Sequence, residues 1–268
     1  MLRALVIGAA GRMGQALVRA ASERSDVKVV AGVDAPDSVH RGRDLGELAG
    51  IGKLSVPLGS DLAAALAGCD AALDFSHPSA TAANLAACVA AGKPLLIGTT
   101  GLSKEVHHEL ERAARHIALL VTANTSIAVT LLLELVRECA RTLSPELDVE
   151  IVEAHHRHKK DAPSGTALAL GAVVAETRGH ELDRIGVRNR IGAGPRREGE
   201  IGFAVIRAGD MVGEHSVVFA GPGEQLVLTH RATDRAIFAR GALEAAAWLA
   251  RRPPGRYAMR DILRKSVA

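Results

Sequence analysis

At 268 residues the chain is long enough to bury one large core or two modest ones. Its formal charge of +3, with one Trp, one Tyr and four Phe, argues against a nucleic-acid binder, which needs a strongly basic face or stacking platforms. Three widely separated cysteines in no metal pattern, a start that moves directly into a strand without a targeting segment, and no apolar run of 18 residues predict a reduced, cytoplasmic protein with no membrane partner.

Leu2 to Ile7 is an apolar run, followed by Gly8-Ala-Ala-Gly11-Arg-Met-Gly14 and a helical pattern through Ala21. Strand, glycine turn and helix together suit a dinucleotide. Gly11 lets backbone approach a pyrophosphate, Gly14 lets the helix pack on the strand, and the helix N-terminus offers N–H groups to the anion. A second strand, Val27 to Val33, ends in Asp34, where such a fold places the carboxylate that accepts from ribose hydroxyls. An Asp at a strand end also serves as an ordinary turn residue. The next residue is Ala35, not an Arg that would grip a 2′-phosphate; Arg41 and Arg43 lie on the following loop.

Alternation continues with strands at Leu54 to Leu58, Asp70 to Phe75, Lys93 to Ile97 and Ala118 to Thr122. Helices fall between them at Asp61 to Ala67, Ser79 to Ala91 and Ser103 to His116. Strands joined by helices of this length mean parallel βαβ units, so the first ~125 residues are expected to form a doubly wound α/β sheet. Ligands bind beyond the C-terminal strand ends of such a sheet, which directs attention to Phe75-Ser-His77, Gly98-Thr-Thr-Gly101 and Ala123-Asn-Thr-Ser126. Each alone is also ordinary turn chemistry.

Ser126 to Leu143 reads as a long apolar helix packed on both sides, with Cys139 as a core thiol. Asp148 to Val152 reads as a strand and Thr166 to Arg178 as a helix. The loop between them packs three histidines and three fixed cations into His155 to Lys160. A neutral imidazole suits acid/base work near pH 7, and a lysine among cations becomes a better proton donor. Ser164-Gly-Thr166 opens the next helix, whose N–H groups attract a carboxylate. A compact substrate with more than one carboxylate is implied. Adjacent histidines do not easily share one ion, so no metal is expected; a merely solvated loop remains the bland alternative.

Gly179 to Gly199, with five arginines, reads as a long exposed loop. Ile201 to Arg207, Glu214 to Phe219 and Gln225 to Thr229 alternate apolar and polar residues across two hairpin signals, predicting an α+β region with a mostly antiparallel sheet that also takes the strand before His155. The open face of that sheet invites an oligomer. Asp234 to Arg251 reads as a helix stopped by Pro253 and Pro254, and Tyr257 to Leu263 as a short one.

Glu153-Ala-His-His-Arg-His-Lys159-Lys-Asp-Ala-Pro-Ser-Gly165-Thr166 closely resembles the signature of the 4-hydroxy-tetrahydrodipicolinate reductase (dihydrodipicolinate reductase) family. The likeness extends through Gly8 to Gly14, Gly98 to Gly101 and Gly202 to His215, covering nearly the whole chain. It implies reduction, by NADH or NADPH, of the conjugated cyclic dicarboxylate formed after water loss, in lysine and diaminopimelate biosynthesis. His155 would be the acid/base residue and Lys159 the proton donor; His156, Gly165 and Thr166 would bind substrate. Gly8, Ala9, Ala10, Gly11, Arg12, Met13, Asp34, Gly98, Thr99, Thr100, Ala123, Asn124, Thr125 and Ser126 would line the cofactor. The resemblance further implies a homotetramer and a discontinuous dinucleotide-binding domain of residues 1–126 and 237–268, with residues 127–236 binding substrate and forming the oligomer. This chain departs from the family pattern at Ala35, which weakens any expectation of strong NADPH preference, and at Thr125, where an aromatic is often found. Other readings of the same sequence are a two-domain dehydrogenase acting on a semialdehyde through a cysteine nucleophile, and a nucleotide-sensing regulator with no use for His155 and Lys159.

Overall fold

The computed structural model describes residues 1–188, 190–192 and 194–263, and divides into two compact units: residues 1–127 with 236–268, and residues 128–235. From the start of the chain the elements are β1 (Leu2–Ile7), α1 (Arg12–Ser22), β2 (Val27–Val33), α2 (Leu45–Ala49), β3 (Leu58–Gly59), α3 (Leu62–Ala67), β4 (Ala71–Asp74), α4 (Thr81–Ala90), β5 (Leu95–Ile97), α5 (Lys104–Ala113) and β6 (Ala118–Val121). Then come α6 (Ile127–Thr142), β7 (Asp148–His155), α7 (Gly165–Thr177), α8 (Leu182–Ile185), β8 (Gly186–Val187), β9 (Ile201–Arg207), β10 (Gly213–Gly221) and β11 (Glu224–Ala232). The chain returns to the first unit with α9 (Ala236–Leu249), β12 (Gly255–Tyr257) and α10 (Met259–Leu263).

The first unit is a parallel sheet in the order β12-β6-β5-β4-β1-β2-β3. Its strands read as continuous apolar runs because both faces are covered. On β1, Leu2, Ala4 and Val6 pack with α1 and α9, while Leu5 and Ile7 pack with α4 and α5 on the other side. The strand order reverses between β1 and β4, which opens a crevice beyond their carboxyl ends. Two details differ from the sequence reading. The strand expected over Leu54 to Leu58 shrinks to Leu58–Gly59, because the amides of Leu54 and Val56 bond instead to the Asp44 carboxylate, which also caps α2. Gly255–Tyr257 adds a seventh strand against β6 where only a stop and a helix were expected.

The second unit is a five-stranded sheet, β11-β10-β7-β9-β8. It is mixed: β7 pairs antiparallel with β10 and β10 with β11, while β9 runs parallel to β7 and β8 to β9. The second hairpin signal, Ala220 to Gly223, does turn β10 into β11. The first does not make a hairpin, since β7 lies between β9 and β10 and the 208–212 segment passes over its end. Odd-numbered residues of β7, β9 and β10, including Val149, Ile151, Phe203, Val217 and Phe219, bury against α6 and α7. Leu131 and Leu135 of α6 stay exposed, so this helix is covered on one side and not on both. Within Gly179 to Gly199, expected as loop, the chain forms α8 and β8. Arg188 pairs with Asp183, and Arg190 and Arg196 with Glu150; Asn189 and Ala193 lie outside the described residues.

Candidate active site

In the first unit, the turn after β1 is shaped by close approaches. Gly8 has φ +79°, and a Cβ there would lie 2.7 Å from the carbonyl oxygen of Phe75. A Cβ on Gly14 would lie 2.3 Å from the Gly8 carbonyl oxygen, so α1 sits against the turn at a distance only glycine permits. Gly11 and Arg12 are exposed, and α1 begins at Gly11 with no side-chain cap and no acidic residue in its first turn. Its first N–H groups therefore face outward as an electropositive seat that fits the pyrophosphate of a dinucleotide. Ala9 is buried; Ala10 and Met13 are half-buried.

Asp34 stands beyond β2, and its carboxylate accepts the amides of Ala10 at 3.0 Å and Ala35 at 2.9 Å. It thus ties the glycine turn to the end of β2, a duty the ribose reading did not anticipate. Gly98 must be glycine because the Phe75 ring occupies the space of a Cβ. Thr99 is buried and turns its hydroxyl toward Asp74, 3.4 Å from the carboxylate, whereas Thr100 is exposed. Asp74 was missed in sequence: fully buried, it accepts from the Ser76 amide and hydroxyl and from Asn84, fastening the loops after β4 and β5 together. His77 bonds Ser79 within its own turn. Ala123 is exposed and Asn124 half-buried, but Thr125 and Ser126 are buried. The Thr125 hydroxyl donates to the Phe238 carbonyl at 2.6 Å, which gives it an anchoring role.

In the second unit, β7 runs three residues further than its β-branched core suggests. His155 is therefore a strand residue, not a loop residue. The face that carries Val149 and Ile151 continues as Glu153 and His155, so an apolar stripe turns polar where it reaches the start of α7. Cross-strand register brings His215 opposite Glu153 and Arg207 opposite His155. Glu153 is 1 % exposed and fully engaged. One oxygen meets His155 Nδ1 at 2.6 Å and Arg207 at 2.8 Å; the other accepts from Arg207 at 2.7 Å and from the Ser164 amide at 2.9 Å.

Burial acts to raise the Glu153 carboxyl, but Arg207, His155 and the Ser164 amide outweigh it and hold the group below the usual carboxylate range. Burial likewise lowers His155 against the opposing pull of Glu153, leaving a neutral ring near pH 7. Gly213 is required beside that ring, since a Cβ there would lie 2.9 Å from His155 Nε2. Ser164 caps α7 by accepting the Ala167 amide, and its hydroxyl lies 2.9 Å from His215 Nε2. Burial drives His215 down to about 4. Its ring stands edge-on to His155, 5.1 Å between centroids.

The loop beyond His155 is fixed by the segment between β9 and β10. The His156 amide donates to the Met211 carbonyl at 2.8 Å and the Arg157 amide to Gly209. His156 Nε2 lies 2.9 Å from Arg235, and loss of solvent, with that cation beside it, lowers its pKa. Lys159 meets Asp161 at 2.8 Å, so its nearest charged neighbour is a carboxylate and not the further cations expected from the sequence. Gly165 is exposed and Thr166 half-buried in the first turn of α7, and His158 and Lys160 point to solvent. Glu153, Arg207 and His215 lie within the stretches that carry the family resemblance, but the sequence assigns them no role. Only the first left a local signal, its even spacing from His155 on an extended strand.

Cys139 is half-buried, and burial raises its thiol, the wrong direction for a nucleophile. No helix among the described residues is long and apolar enough to cross a membrane. The model for the dihydrodipicolinate reductase N-terminus matches residues 2–125 and that for the C-terminus matches residues 128–263. The chain belongs to the dihydrodipicolinate reductase family. A curated 4-hydroxy-tetrahydrodipicolinate reductase of Alkalilimnicola ehrlichii is 51% identical over 97% of this chain and 98% of its own, and one of Halorhodospira halophila is 49% identical over 96% and 97%. The fold is similar to that of a dipicolinate-bound dihydrodipicolinate reductase from Paenisporosarcina sp. TG-14, with TM-score 0.76, 24% identity, and coverage of 96% of this chain and 97% of that one. An amine dehydrogenase from Mycobacterium smegmatis shares the fold at TM-score 0.60 and 15% identity, covering 97% and 95%. Family membership makes this chain an NAD(P)H-dependent oxidoreductase.

Proposed function

We propose that the chain reduces 4-hydroxy-tetrahydrodipicolinate, after loss of water, to tetrahydrodipicolinate, a step of lysine and diaminopimelate biosynthesis. The observation that carries this is near-complete coverage by two relatives named for that reaction, at 51% and 49% identity. The polar cluster on β7 suits the chemistry. Bound NADH or NADPH supplies the hydride. His155, neutral and with Nδ1 engaged by Glu153, offers Nε2 as the acid/base atom. Lys159 is the proton donor, held at the site by Asp161. His156, Gly165 and Thr166 receive the dicarboxylate, the last two through the first turn of α7.

The cofactor is held by Gly8, Ala9, Ala10, Gly11, Arg12, Met13, Asp34, Gly98, Thr99, Thr100, Ala123, Asn124, Thr125 and Ser126. Thr99 and Thr125 contribute backbone, because their hydroxyls are spent on Asp74 and Phe238. With Ala35 after Asp34, strong NADPH preference is not expected. The first unit thus serves as the dinucleotide domain and the second as the substrate domain, in a cytoplasmic enzyme. The sheet face opposite α6 and α7 carries Val152, Ala204, Ile206, Val218 and Val227, with Ile206 and Val227 about half exposed at 47% and 50%. Such a face supports assembly into a homotetramer. Loss of reduced-nicotinamide absorbance on adding the substrate, compared for NADH and NADPH, tests the reaction; no turnover with either cofactor would refute it.

A further inference from the structure

Neutral imidazole carries one proton on one of two nitrogens, and which one decides what the ring does. Among the described residues only one arrangement decides it for His155: the Glu153 carboxylate at 2.6 Å from Nδ1 accepts a hydrogen bond and donates none. We propose that Glu153 is a positioning residue for the reaction assigned above, fixing the His155 proton on Nδ1 so that Nε2 remains unprotonated and able to take up or pass on the reaction's proton. The inference rests on that reading for its kinetic consequence, but not for the tautomer itself.

The surroundings of the carboxylate make the tautomer sensitive to a single atom. The Glu153 oxygen that does not face His155 receives two donors, the Arg207 guanidinium and the Ser164 amide. The oxygen that faces His155 receives one other donor, from Arg207. An amide in place of the carboxylate therefore keeps its oxygen where two donors point. It turns its NH2 group toward His155, where only one donor opposes it. Nδ1 must then accept, and the ring proton moves to Nε2. The anion seat is left in place, because the Ser164 amide keeps an oxygen to bond.

Charge works in the same direction. A protonated His155 is balanced by Glu153 on its own strand, beside Lys159 on the loop with its partner Asp161, Arg207 on β9 and His215 on β10. Without the Glu153 charge, the cations Lys159 and Arg207 disfavour the imidazolium, while His215, driven down to about 4, adds no charge near pH 7. A purely structural role for Glu153 would instead loosen the Ser164 turn and the binding of anions along with catalysis.

Nitrogen-15 NMR of the unaltered protein, with His155 assigned, reads the tautomer directly and needs no turnover. The expected result is the Nδ1–H form of the neutral ring; the Nε2–H form overturns the proposal. In Glu153→Gln the Nε2–H form is expected, with the His155 titration moved to lower pH. kcat is expected to fall about 10²-fold or more, while the dissociation constant for dipicolinate (pyridine-2,6-dicarboxylate) stays within about threefold. Equal losses in kcat and dipicolinate binding, or an unchanged tautomer, contradict it. Should Glu153→Gln fail to fold, the spectrum of the unaltered protein still decides. A protein with the Nδ1–H tautomer but no reductase activity would break the functional reading and leave the positioning intact.

Discussion

The two helices proposed to seat anions, α1 following β1 and α7 following β7, have first turns built from opposite materials. α1 starts on bare backbone, with Gly8, Gly11 and Gly14 removing side chains and no cap bonding its amides. α7 starts on Ser164, whose amide is fastened to Glu153, whose hydroxyl caps the helix, and which reaches His215 on another strand. In the proposed function the first arrangement takes a phosphate and needs only room, while the second takes a carboxylate beside the proposed acid/base residue and is wired to it through Glu153. On that proposal binding falls to glycines and proton transfer to buried charge.

That contrast can be broken by substitution. The largest effect is expected on the wired side: His155→Gln lowers kcat by roughly 10²–10⁴-fold, measured under saturating cofactor and substrate. Next comes acid sensitivity. His215 sits at about 4 in the folded protein against an ordinary 6.5. Folding stability from this group is therefore fully present above pH 6.5 and is lost as pH falls toward 4, when the unfolded chain takes a proton that the folded one refuses. The loss is about 3 kcal/mol across that window, read as the shift in urea unfolding between pH 7.5 and pH 4, and it shrinks in His215→Asn.

On the bare side, Gly14→Ala forces a methyl into the Gly8 carbonyl and costs about 1–3 kcal/mol of stability, together with a weakened grip on NADH; thermal unfolding and fluorescence titration read both. The smallest effect belongs to Lys160→Ala, whose solvated ammonium has no part in either arrangement, and kcat/KM is expected to stay within about twofold.

The bare arrangement was legible in the sequence because its information is local. The Gly8 to Gly14 spacing, the apolar runs and the Asp34 position all lie within one βαβ unit, where period and turn chemistry suffice. The wired arrangement was half legible. His155, Lys159 and Ser164 to Thr166 stand out as a dense polar stretch, but Arg207 and His215 reach the site only through strand register, fixed by the placing of β7 between β9 and β10. The Ala208 to Gly213 segment looks like a hairpin, and nothing local shows that another strand occupies the space between its arms. Thr125 adds a second non-local case: its hydroxyl donates to the Phe238 carbonyl, a partner 113 residues away that leaves no local signal.

The separation of binding from proton transfer is tested most directly by the NADH dissociation constant of His155→Gln and Gly14→Ala, measured side by side with the unaltered protein. His155→Gln is expected to bind NADH within about twofold of normal despite its lost turnover, and Gly14→Ala at least about tenfold more weakly. NADH binding that weakens in His155→Gln in step with kcat, or that survives intact in a folded Gly14→Ala, would contradict that separation.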